Sequence, residues 1–175
     1  MKYGVHTEVL PELYYEKEMN RIDTGEDIMQ KEIMPNKKYS IAANAVLLLW
    51  FFLDMIGIYF ENKYLVTRSW REDGIYFVIF LLAFLTYIFK ERIGKYVLSA
   101  WLSIWLITQF LSHEWFTIAG KGQGMIKYFK NALKWTEGET RYIPDVYHTI
   151  LHILILTALI ATIVFIVKQR RKKSQ

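Results

Sequence analysis

Apolar positions along this chain fall in four long blocks, 40–60, 74–89, 96–112 and 145–167, divided by short charged stretches. A helix rises about 1.5 Å per residue, so crossing a ~30 Å hydrocarbon layer takes about 20 residues. The first and last blocks reach that length outright. The second is short but is flanked by Tyr76 and Phe89, and the third reaches it if its helix continues through His113 and Glu114 to about residue 117. The pattern predicts an all-α polytopic integral membrane protein, a four-transmembrane-helix bundle with spans at about 40–60, 74–89, 96–117 and 145–167. A cytoplasmic N-terminal arm (1–38) would precede the four-helix membrane domain (39–168), and a basic cytoplasmic tail (169–175) would follow it.

Polar residues between the blocks set an orientation. Lys31, Lys37 and Lys38, then Lys90, Arg92 and Lys95, then the tail from Lys168 to Lys173 fall on one side. Such juxtamembrane cations favour the cytoplasm, which places both termini there and the protein in the plasma membrane as a multi-pass chain. Tyrosines and tryptophans near the block ends, among them Tyr59, Tyr64, Trp70, Trp115, Trp135, Tyr142 and Tyr147, fit the aromatic belt of an outer interface. In the arm, Leu10 to Ile22 and the stretch from Thr24 to Pro35 are helix candidates offering a surface to the membrane or to a partner. Pro144 and Asp145 mark the start of the fourth span.

The outer loop, about 118–144, opens with Gly120, Gly122 and Gly124. In the following stretch Met125, Ile126, Phe129 and Leu133 fall on one helical face and Lys127, Lys130 and Lys134 on another, the pattern of an amphipathic helix lying in the interface. Those lysines would meet lipid phosphates or an anionic ligand. The small residues Ser99, Ser103, Ala158 and Thr162 offer close helix contacts.

Composition removes several classes of function. The net charge of +5 arises beside the membrane rather than on a soluble face, so lipid and not nucleic acid is the expected partner, with a membrane protein or a second copy of the chain beside it. With no cysteine, thiol redox chemistry, disulfides, thiolate-bound zinc and iron–sulfur clusters are excluded. No H-E-x-x-H and no nucleophilic serine elbow is present.

Candidate chemistry rests on polar groups inside the blocks, where such groups are costly. Asp54 lies roughly 9 Å below the outer end of span one on the helical rise. His148 and His152, four apart, share a face of span four, while Gln109, His113 and Glu114 stand at the outer end of span three. These six form a candidate ligand pocket in the outer leaflet. His113, His148 and His152 with a carboxylate can be a first shell for a divalent metal. Alternatively, His113 and a histidine of span four can hold haem, the set can be a proton- or ligand-responsive pocket, or it can be a hydrogen-bonded network joining helices. With no catalytic set in view, the expected function is a non-enzymatic accessory, immunity-type or transporter-associated membrane component. An intramembrane metal or haem enzyme is the alternative.

Overall fold

In the computed structural model, residues 36–136 and 140–174 are described; the two helix candidates of the arm lie outside them. Four long helices, α1 (Asn36–Ile56), α2 (Trp70–Phe89), α3 (Glu91–Ser112) and α6 (Val146–Lys173), carry most of the chain. Two short ones, α4 (Glu114–Ile118) and α5 (Gln123–Tyr128), lie between α3 and α6. The chain is mostly helical, as the block pattern predicts.

Three of these helices, α1, α2 and α6, are long and apolar enough to cross a membrane. Only 28, 22 and 39% of their most apolar windows is buried within the protein. The remainder, including Leu49, Leu82 and Ile153, faces outward, a distribution that water penalises and lipid does not. The third block differs. Helix α3 has the length, but Glu91, Arg92 and Lys95 occupy its first turns and Thr108, Gln109 and Ser112 its last.

All four long helices share one core. Leu47 and Phe51 of α1 meet Phe80 and Phe84 of α2, Leu98 and Trp105 of α3, and Leu151 and Ile155 of α6. The Phe51 ring lies 4.6 Å from that of Trp105, and Phe80 lies 5.5 Å from it. Helices α2 and α3 approach closely at Gly94, where a Cβ would stand 2.4 Å from backbone atoms of Thr86 and Tyr87. Between α1 and α6 the packing is polar in part. Thr162 lies 3.0 Å from Ser40, and the Asn44 amide donates to Thr162 at 3.1 Å and to the Ser40 carbonyl. Ala158 and Thr162 are fully buried, consistent with small residues admitting a neighbouring helix.

One end of the helices, here the tail end, is joined by side chains. Glu91 at the start of α3 pairs with Lys37 of α1 and accepts from Gln169 of α6 at 2.6 Å. Lys95, buried on α3, donates to Gln169 and lies over the Phe165 ring.

The opposite end departs from the block reading. α1 stops at Ile56, four residues before the predicted limit, because Gly57 takes φ +74 and turns the chain. A two-stranded antiparallel hairpin follows, β1 (Ile58–Tyr59) and β2 (Tyr64–Val66), with Ile58 opposite Val66 and Tyr59 opposite Tyr64. The outer-loop segment is tied to it: Tyr64 bridges Ala132, and Leu133 N–H donates to the Tyr64 carbonyl at 2.9 Å. The expected interfacial helix is therefore only α5. Phe129 and Ala132 turn inward onto Tyr142 instead of continuing an apolar helical stripe. Lys127 and Lys130 are exposed, and Lys134 is half-buried.

Candidate functional site

Helix α3 ends at Ser112, and a break at His113 precedes α4, where a continuous helix to about 117 was predicted. The break turns His113 inward until it is 6% exposed. Its Nδ1 shares a 2.6 Å hydrogen bond with the Tyr142 hydroxyl. Tyr142 lies outside the helices, and burial, reinforced by the Asp145 and Glu114 carboxylates, pushes its phenol well above the ordinary range.

Asp145 caps α6, as the Pro144–Asp145 signal predicts, with proline one position ahead of the cap instead of inside the first turn. Its carboxylate accepts the His148 backbone N–H at 2.9 Å and the His148 Nδ1–H at 2.8 Å. One buried carboxylate thus both ends the helix and fixes an imidazole. One turn further, His152 Nδ1–H donates to Glu114, and its Nε2 stands 3.2 Å from the Gln109 amide oxygen.

The three imidazoles do come together. His113 stacks on His148 with centroids 4.2 Å apart and planes at 27°, and His152 lies 5.4 Å from His113. Face-to-face rings direct their lone pairs edgewise in parallel rather than toward a shared point. In each ring Nδ1 is also committed, to Tyr142, Asp145 and Glu114 respectively. Among the described residues no group of three histidine, aspartate or glutamate side chains is placed to hold a metal ion. The described residues thus offer no preformed three-ligand metal site at His113, His148 and His152.

The same groups border a cavity of about 240 Å3 under the hairpin. Of the six candidate pocket residues, Asp54, Gln109, His113 and His148 line it, whereas Glu114 and His152 face an apolar groove between α3 and α6. Asp54 is 4% exposed, and its backbone carbonyl accepts the Ser69 N–H at 2.9 Å, which brings the start of α2, with Asp73, beside it. Asp73 enters through the first turn of α2, where an acid complements the helix dipole. Tyr147 completes the wall. It is stacked on Trp50 at 5.6 Å and is 1% exposed, yet among the described residues its hydroxyl has no hydrogen-bond partner.

Asp73, Asp145 and Tyr147 are site residues that the reading by depth did not select. A signal for Asp73 exists: Ser69 and Glu72 have capping-box spacing, which starts α2 at residue 70 and puts Asp73 in its first turn. Tyr142 and Tyr147, assigned to the aromatic belt, are in fact buried, while Tyr59, Trp70, Trp115 and Trp135 are exposed as a belt requires.

Comparison of the chain with family models, curated proteins and solved structures finds no match.

Proposed function

We propose that the chain is a plasma-membrane protein of four spans, α1, α2, α3 and α6, with both termini cytoplasmic and the hairpin end outside. In this reading it is a binding component rather than an enzyme, an accessory, immunity-type or transporter-associated subunit that receives a ligand in the cavity beneath the hairpin. The observation that carries it is the convergence of Asp54 from α1, Asp73 from α2, Gln109 from α3 and His148 from α6 on one cavity. Polar groups that are expensive inside a membrane are kept where they meet something. The three imidazoles are engaged with a phenol and two carboxylates rather than with a nucleophilic hydroxyl, which favours binding over catalysis. The orientation rests on the cations at the tail end and the exposed aromatic side chains at the other.

The test has two parts. Reporter fusions after Gln175 and within residues 113–144 should read cytoplasm and exterior respectively; the reverse pattern would refute the topology. Full-length protein cross-linked in native membranes should capture a membrane-protein partner or a second copy, and deletion of residues 1–34 should abolish that capture. A chain that stays solitary in both forms would refute the accessory role.

A further inference from the structure

The lining of the cavity is unbalanced in charge. Asp54, Glu72, Asp73 and Asp145 border it, and among the described residues neither lysine nor arginine lines it. Arg68, Arg71, Lys127 and Lys130, which neighbour lining residues in sequence, are exposed. A second observation is independent of the carboxylates: Tyr147, in the same wall, is 1% exposed, and among the described residues its hydroxyl has no hydrogen-bond partner. A buried hydroxyl without a hydrogen bond is costly, and a ligand in contact with it removes that cost. The rest of the wall is aromatic, with Phe51, Tyr64, Tyr76, Tyr128 and Phe129. Carboxylates, a hydroxyl able to accept, and ring faces are together the recognition set for a protonated amine: its N–H groups donate to oxygen, and its charge is attracted to the rings. At about 240 Å3 the space is below the roughly 300–1,000 Å3 of pockets that enclose drug-sized molecules, which restricts the ligand to a small one.

We infer that the cavity beneath the hairpin binds a small organic ammonium ion, held by Asp54, Asp73 and the Tyr147 hydroxyl. This rests on the reading of the cavity as a ligand pocket open to the exterior. The hydroxyl and carboxylates favour an amine with N–H groups over a quaternary ammonium, which has none to donate.

The absence of native cysteine makes a direct test clean. Ser112, half-buried at the end of α3, lines the cavity. The full-length Ser112→Cys protein in liposomes is labelled from outside with membrane-impermeant methanethiosulfonates, one bearing trimethylammonium and one bearing sulfonate. After correction for their rates with free thiol, the cationic reagent should react about tenfold faster or more, as attraction by unscreened carboxylates requires. Millimolar n-butylammonium should slow labelling saturably, whereas n-butyrate and tetramethylammonium should not. Adding Asp54→Asn or, separately, Asp73→Asn should reduce the rate preference severalfold. Tyr147→Phe should weaken butylammonium protection severalfold and leave the preference intact; circular dichroism and size-exclusion profiles identify any variant that has lost its fold. Labelling without charge preference and without amine protection would overturn the inference and leave the pocket standing. Protection by magnesium or calcium equal to that by butylammonium would overturn it in favour of a metal cation. Failure of both reagents to react from outside, in protein that a permeant neutral thiol reagent labels, would remove the pocket reading itself and the inference with it.

Discussion

Replacing Gly94 by alanine tests the α2–α3 contact on which the placement of Asp73 and His113 depends. The added Cβ would lie 2.4 Å from the Thr86 carbonyl carbon and oxygen and from Tyr87 Cα. All three are backbone atoms of a packed helix, so no side chain can rotate away. Ordinary contact begins near 3.4 Å, and the two helices would have to part by about 1 Å along a core that includes Phe84, Tyr87 and Leu98. Overpacking of this kind costs about 1–3 kcal/mol, and rigid neighbours put it toward the upper figure. Against this stands a gain of about 1 kcal/mol for alanine over glycine inside a helix. The net expectation is a loss of about 2 kcal/mol, roughly a 30-fold fall in the folding equilibrium. Gly74 is the control, because a Cβ there meets only the Trp70 ring at 3.8 Å; Gly74→Ala should be neutral or stabilising by up to about 1 kcal/mol. Reversible unfolding in mixed micelles, followed by circular dichroism, compares the two. If Gly94→Ala proved as stable as the parent, or more so, the close approach described for α2 and α3 would be wrong.

Removing the Tyr142 hydroxyl (Tyr142→Phe) leaves the buried His113 Nδ1 unpaired and should cost about 1–3 kcal/mol; the double variant His113→Phe/Tyr142→Phe should lose less than the sum of the single variants in the same unfolding assay. Because the folded-state value of Tyr142 is raised above the ordinary 10.0, its contribution is fully present below pH 10 and is lost as pH rises beyond it. Thermal scans between about pH 8 and pH 11 should therefore show a shallower alkaline decline for Tyr142→Phe than for the parent. Asp145→Ala removes the cap of α6 and should cost about 0.5–2 kcal/mol, whereas Asp145→Ser, which can still cap, should recover part of that loss. Chelation with EDTA should leave the melting temperature unchanged, since the imidazoles do not converge on a metal; a reproducible fall would contradict the stacked arrangement of His113 and His148.

Helices were legible in the sequence wherever apolar residues run unbroken for the thickness of a bilayer, because within a single segment only a helix satisfies its own backbone hydrogen bonds in an apolar medium. Their ends were less so. Ile58, Tyr59 and Phe60 continue the apolar run after Gly57 and read as more span, although the chain has already turned at that glycine. The hairpin was hidden for the same reason: its strands are only two and three residues long and carry no alternation long enough to detect. In the candidate site, Asp54, His113 and His148 were found by depth alone, since a titratable side chain within a lipid-length block stands out. Tyr142 and Tyr147 could not be separated from belt tyrosines, because a phenol is equally at home at an interface and in a core. Glu114 and His152, selected by the same reasoning, border instead the apolar groove between α3 and α6, a matter of azimuth that depth along a helix does not give.

Helix α6 runs from Val146 to Lys173 without a glycine or proline. At about 1.5 Å per residue its 28 residues extend ~42 Å, which exceeds a ~30 Å hydrocarbon layer by some two turns. The basic end is consequently a rigid post and not a loose string. Lys168 and Arg170 turn back to the neighbouring helices, donating to Asn36 of α1 and to the Tyr96 hydroxyl of α3. A rod tied in this way resists sliding past its neighbours, and its other extremity, bearing His148, keeps a constant height against them.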